Sequence, residues 1–183
     1  NHGLPINQIL CSTNVNDVLR RFIDGGVLEP LVTQPSVAPS MDIQIPSSLE
    51  RLIFDLSSDA KSFYYQLQTN SKAQLDEKSV DVLQNVFSSF TFSDENITNL
   101  IQSLHDNFDI VFDPHSVTSV QMALDNDSSL PTVAVATASP EKFGNVISPL
   151  IKDFAETKIE EKEQYLTLST ENPEIIGAIT AFL

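Results

Sequence analysis

The pattern of short apolar runs predicts an α/β fold: a partial parallel sheet flanked by helices. Such runs stand at residues 9–11 (ILC), 110–112 (IVF) and 132–136 (TVAVA). Each gives way to small polar residues and then to a segment with helical periodicity. Strands of a parallel sheet are covered on both faces, so they read as continuous apolar runs rather than alternating ones. Strand followed by capped helix, repeated, is the α/β signature. The three runs are therefore expected to be neighbouring parallel strands of one sheet. Residues 1–150 would form this domain, with a helical insertion at about 58–107, and 151–183 a tail with short helices.

Taken in order, residues 1–8 (NHGLPINQ) read as a polar loop before the first strand. Ser12, Thr13, Asn14 and Asn16 supply turn and cap chemistry. Val15, Val18, Leu19, Phe22 and Ile23 recur at helical spacing, so a helix is expected over 16–24, stopped by Gly25-Gly26. Pro30, Pro35 and Pro39 mark an ordered loop. Pro46-Ser47-Ser48 then caps an amphipathic helix carrying Leu49, Leu52, Ile53 and Leu56, with Glu50 and Arg51 on its solvated flank. In the 58–107 segment, Phe63, Tyr64 and Leu67 make one apolar stripe, and Val80, Leu83, Val86 and Phe87 make another. Ser93 starts a further helix with Ile97, Leu100, Ile101 and Leu104 inward. A helix through Val120 and Leu124 follows the second apolar run. Pro140, favoured at a first helical position, opens the helix after the third. Asn172-Pro173-Glu174 starts a last short helix.

Composition narrows the function. The chain of 183 residues has a formal charge of -15, from 25 acidic and 10 basic side chains. Such a surface repels nucleic acid and anionic membranes, so neither is expected as a partner. Cys11 is the only cysteine. That leaves no internal disulfide and no cysteine cluster for zinc, and fits a reducing compartment, most simply the cytoplasm. No apolar run approaches a membrane span, and no signal peptide is visible. The first residue is Asn1 rather than Met, so a preceding segment of the gene product is expected.

Chemistry is sparse. His2, His105 and His115 have no metal-ligand spacing, so no metal site is expected. There is no G-x-S-x-G elbow, Walker motif or dinucleotide fingerprint. With 5 glycines in the chain, no phosphate cradle can be drawn. Asp113 and His115 stand after the second run. Asp113 can cap the following helix with His115 in its first turn, or the two can move a proton; the structural role is preferred. Thr137 would sit at the carboxyl end of a parallel strand beside a helix N-terminus, where α/β sheets bind ligands.

Four blocks carry a family resemblance. Residues 132–143 (TVAVATASPEKF) resemble the STAHPAKF-type motif of threonine synthases. Residues 12–19 (STNVNDVL) resemble the ATNxNDIL block of that family. Residues 39–43 (PSMDI) with 49–52 (LERL) resemble its PSMDI…ERL block. Residues 113–116 (DPHS) resemble its DPHTA block. The blocks occur in the family's order over roughly residues 1–145. The resemblance implies the C-terminal portion of an enzyme that depends on pyridoxal 5'-phosphate (PLP), with the tryptophan-synthase-β-like fold. The family acts in threonine biosynthesis, converting the small phosphorylated amino acid O-phosphohomoserine and water to threonine and phosphate.

The resemblance also assigns residues. The family's threonine at the position of Thr137 hydrogen-bonds the ring nitrogen of PLP, so Thr137 is the expected cofactor contact. A neutral hydroxyl there leaves the ring a milder electron sink than a carboxylate would. Lys142 matches the motif's lysine. It is the first basic residue after Lys78, with nine Asp or Glu between them, and is the candidate to hold a substrate phosphate; offsetting those carboxylates is the competing role. Ser139 replaces the family's histidine, and Glu141 its alanine. The lysine that binds the aldehyde and the Gly-Asn-Phe-Gly phosphate loop lie upstream in the family. No catalytic residue is therefore assigned within this chain, and alone it is expected to be inactive. Two alternatives stand beside the synthase: a threonine-synthase-like phospholyase, which residues 41–46 and 93–98 favour, and a non-catalytic interaction module.

Overall fold

In the computed structural model, which describes residues 5–57, 59–152 and 154, helices outnumber strands and the chain is α/β. β1 (Ile9–Thr13) leads through the 14–17 turn into α1 (Val18–Gly25). Gly26 ends α1 with φ 67°, the left-handed conformation glycine tolerates. A side chain there would also strike Val80 Cγ2. β2 (Val27–Leu28), a long loop with a 3₁₀ turn at Pro39–Met41, and α2 (Leu49–Leu56) follow. Next come α3 (Ala60–Asn70), β3 (Ala73–Gln74), α4 (Glu77–Val86) and β4 (Phe87–Thr91). α5 (Asp94–Phe108) and α6 (Ser116–Leu124) complete the helical body. A 3₁₀ turn at Pro140–Phe143 runs into α7 (Gly144–Ile147).

The helix starts are chemically explicit. Asp59 and Asp76 cap α3 and α4, accepting from Ser62 N and Ser79 N at 2.9 and 3.0 Å. Ser93 and Asn96 exchange bonds across the first turn of α5 as a capping box, each at 3.1 Å. The Ser93 start matches the sequence reading; the Asp59 and Asp76 caps were not read from it, and Ser48 before α2 makes no side-chain cap bond.

β1 pairs in parallel with β4, in register from Ile9 opposite Phe87 to Thr13 opposite Thr91. β2 pairs antiparallel with β3. The expected sheet is thus corrected in membership. Its first strand is present, but residues 110–112 and 132–136 are irregular and join no sheet among the described residues. The partner of β1 lies instead inside the 58–107 segment that reads as wholly helical. Phe87 continues the 80, 83, 86 helical spacing by sequence, and only pairing with β1 turns the backbone extended there. The tail expected at 151–183, with its last helix at 172, lies outside the described residues beyond Ile151, Lys152 and Phe154.

Two apolar clusters form. One gathers Val18 and Phe22 of α1, Leu28, Leu49, Ile53, Phe63, Leu67 and Leu83. The other gathers Ala38, Ile97, Ile101 and Leu104 of α5, Val117 of α6, Ile147 and Ile151. Phe87 of β4 packs on the first and Phe92, the residue after β4, on the second, so this stretch ties the two together. The resemblance blocks come together beside them.

Candidate functional site

Asn14 is wholly buried just past β1. Its Nδ2 donates to Ser36 Oγ at 2.6 Å and to Asp42 Oδ1 at 2.7 Å, with Ala38 O farther at 3.3 Å. Its Oδ1 accepts from Asn16 N at 2.9 Å. Asn16 donates to Gln34 O and Asp42 Oδ1, and accepts from Gln34 N and Gln44 Nε2. Asp42 also receives Ser36 N at 3.0 Å and Ser36 Oγ at 2.6 Å. The first two blocks are therefore one network. It folds the proline-marked loop, residues 29–42, around the Asp42 carboxylate. Asp17, the acidic residue of the first block, turns away from this network and pairs with Arg20 and Arg21 of α1.

That loop carries Ser40 to the third block. Ser40 N donates to His115 Nε2 at 3.0 Å. Nε2 is an acceptor, so the ring proton sits on Nδ1, which donates to Asp113 Oδ1 at 2.9 Å. Asp113 Oδ1 also accepts from His115 N at 2.9 Å and Ser116 N at 3.3 Å, closing the start of α6. Burial pushes the Asp113 carboxyl up, but the bonds from His115 and Ser116 outweigh it and hold it below its ordinary range. The preferred structural role for this pair matches the geometry: Asp113 caps, and His115 is held at both ring nitrogens. Ser12 joins the first block to α6 at 2.7 Å through Thr118 Oγ1. Thr118 spends its own proton on His115 O, so Ser12 is the donor.

The fourth block closes on the third. Thr137 N donates to Ser116 Oγ at 2.8 Å. The Phe143 ring lies 4.7 Å from that of His115 at a tilt of 57°. Thr137 is exposed, and its hydroxyl has no partner among the described residues. Lys142 is exposed in the 3₁₀ turn and makes no ion pair among them. Two buried carboxylate oxygens, Asp113 Oδ2 and Glu141 Oε2, also lack a partner there. A cleft of about 280 Å³ between β1, β4 and the end of α6 is lined by Leu10, Phe90, Met122 and Asp125, and holds neither Thr137 nor Lys142. No group of acidic, histidine or cysteine side chains suited to a metal occurs among the described residues. No described helix is long and apolar enough to cross a membrane.

Blocks far apart in sequence thus meet in space. No protein-family profile matches the chain. Threonine synthase of Pseudomonas aeruginosa is 31% identical over 153 residues, covering 80% of this chain and 33% of that protein. The chain is homologous to the threonine synthases. Threonine synthase of Saccharomyces cerevisiae is 28% identical over 194 residues, covering 92% of this chain and 38% of the yeast protein. Threonine synthase-like 2 of Xenopus laevis is 28% identical, covering 79% and 32%. Among solved structures, PLP-bound threonine synthase from Brucella melitensis superposes with a TM-score of 0.79 at 26% identity, over 98% of this chain and 41% of that one. Threonine synthase from yeast gives 0.76 at 28% identity, over 84% and 35%. The chain therefore spans about a third of the length of the curated relatives it matches.

Within the threonine synthase resemblance, the structure brings Thr137 to Ser116 and leaves Lys142 without a partner among the described residues. Sequence reasoning assigned turn and cap chemistry to Asn14 and Asn16 and no role to Asp42 or Ser116. The available signal was the density of Asn, Ser and Asp in blocks flanked by apolar residues. Buried amides and carboxylates need partners, so such density marks a network.

Proposed function

We propose that this chain forms the ring-nitrogen side of the cofactor cleft in a PLP-dependent threonine synthase acting on O-phosphohomoserine. The observation that carries the reading is the linked set of blocks ending at Thr137, whose backbone is anchored and whose exposed hydroxyl has no partner among the described residues. These features fit the group: a hydroxyl with an unspent proton and lone pairs, on a fixed backbone, suits a heteroaromatic nitrogen. Bound PLP would supply the electron sink. Thr137 would orient the ring through a neutral hydrogen bond, leaving its nitrogen without a neighbouring carboxylate. Lys142, whose ammonium has no ion pair among the described residues, would hold the substrate phosphate. The relatives are about three times as long, so we assign the aldehyde-binding lysine and the phosphate loop to sequence outside these residues. The 183-residue chain by itself should not retain PLP through dialysis or form threonine.

The test is steady-state turnover of the full-length protein with saturating PLP, measuring phosphate and threonine together. Thr137→Val leaves the ring nitrogen unpartnered, at a cost of about 1–3 kcal/mol. Turnover should fall roughly tenfold to a hundredfold if the loss falls on the transition state. Thr137→Ser should retain most activity. Equal rates for Thr137→Val and the parent would remove Thr137 from the site. The resemblance of residues 41–46 and 93–98 to threonine-synthase-like proteins supports the phospholyase as the second reading; relatives named threonine synthase-like 2 occur in Xenopus laevis and Rattus norvegicus. Phosphate release without equivalent threonine would select it.

A further inference from the structure

We infer that Ser116 positions Thr137, fixing where its hydroxyl stands relative to the cofactor ring. The inference rests on the reading of Thr137 given above. Ser116 is the first residue of α6 and is 1% exposed. Its backbone N–H is held by Asp113, and its Oγ accepts the Thr137 amide at 2.8 Å. One turn on, Ser119 Oγ reaches Ser116 O at 2.8 Å and Val135 O at 3.1 Å. A hydroxyl has a single proton, so Ser119 shares it between the two, and its hold on Val135 is the weaker.

These hydroxyls share one face of α6 at i and i+3 spacing. They reach backbone atoms two residues apart, the Val135 carbonyl and the Thr137 amide. The 130–136 stretch is otherwise exposed, with Val133 at 84% and Val135 at 64%. The segment joins no strand among the described residues; Asn126 and Ser128 hold its start at Thr132 and Leu130, and the two bonds from α6 hold its end. Ser116 is itself fixed through Asp113 and His115 to Ser40, and thence to the loop around Asp42. The buried network thus reaches the exposed hydroxyl through one buried oxygen. A displacement of Thr137 would lengthen a bond to the ring without changing any group that touches substrate phosphate.

The experiment uses the full-length protein with and without PLP, comparing the parent with Ser116→Ala, Ser116→Cys, Ser116→Thr and Thr137→Val. Amide hydrogen exchange at Thr137 is read in the PLP-free protein, and kcat, KM and the pH dependence of the bound-PLP absorbance in the loaded one. Ser116→Ala should speed exchange at Thr137 by about three- to tenfold, the worth of a lost neutral hydrogen bond. It should lower kcat by a similar factor with little change in KM, and shift the absorbance titration in the same direction as Thr137→Val. Ser116→Thr should restore all three. Ser116→Cys keeps the volume with a weaker acceptor and should behave as Ser116→Ala even if the alanine variant folds poorly. Unchanged Thr137 exchange in Ser116→Ala or Ser116→Cys overturns the inference. Faster exchange with a silent Thr137→Val keeps the Ser116 bond but overturns the placement of Thr137 at the ring.

Discussion

The network around Asn14 and the strip at 130–136 are joined through α6, yet they satisfy their polar groups in opposite ways. Around Asn14, side chains close on one another: Asn14, Asn16, Ser36 and Asp42 bond among themselves and to the loop backbone. In the strip, two bonds from α6 serve the backbone, and Val133 and Val135 face outward. The difference teaches which part this chain completes by itself. A buried amide or carboxylate is tolerable only with its partners in place, so the network is fixed by these residues alone. An exposed backbone is satisfied by water and needs no such closure.

The comparison predicts where stability is concentrated. Asn14→Leu removes the donor to Ser36 and Asp42 and leaves the Asn16 amide unpartnered, so it should destabilise the chain by about 3 kcal/mol. Urea denaturation followed by circular dichroism measures this. A loss below about 1 kcal/mol would mean that water replaces the network.

Asp113→Asn should cost less, about 1 kcal/mol at neutral pH, because the amide oxygen can still accept from the α6 backbone. The sign with pH follows from the lowered carboxyl. Its stabilisation is fully present above the unfolded-state value and is lost as pH falls through the lower folded-state value. The parent's advantage over Asp113→Asn should therefore shrink in acid and vanish below the ordinary carboxylate range. An advantage that persists unchanged there would assign it to packing rather than charge.

The smallest effect belongs to the strip. Val133→Ser should change the stability of the chain by no more than about 0.5 kcal/mol either way, since the residue is 84% exposed. A larger loss would show that the strip packs, and would erase the contrast with the network.

The helices were largely written in the sequence. The stop at Gly25-Gly26, the cap before Asp94 and the start at Pro140 are local chemistry, decided within one turn of backbone. The motif blocks and the threonine synthase resemblance were legible for the same reason: each is contiguous. Thr137 was marked by its block, although its exposed setting and its amide bond to Ser116 were not. Tertiary structure alone decided the strands. Phe87 carries helical spacing, yet it lies in β4, because pairing with Ile9–Thr13 outweighs a weak local preference. Residues 110–112 and 132–136 have strand composition and no strand partner among the described residues, and a strand exists only through its hydrogen-bonded neighbour. The meeting of Asn14 with Asp42, of Ser40 with His115 and of Ser116 with Thr137 was likewise settled in three dimensions. Periodicity records which face a residue presents along its own element, whereas these bonds join residues 21 to 75 positions apart.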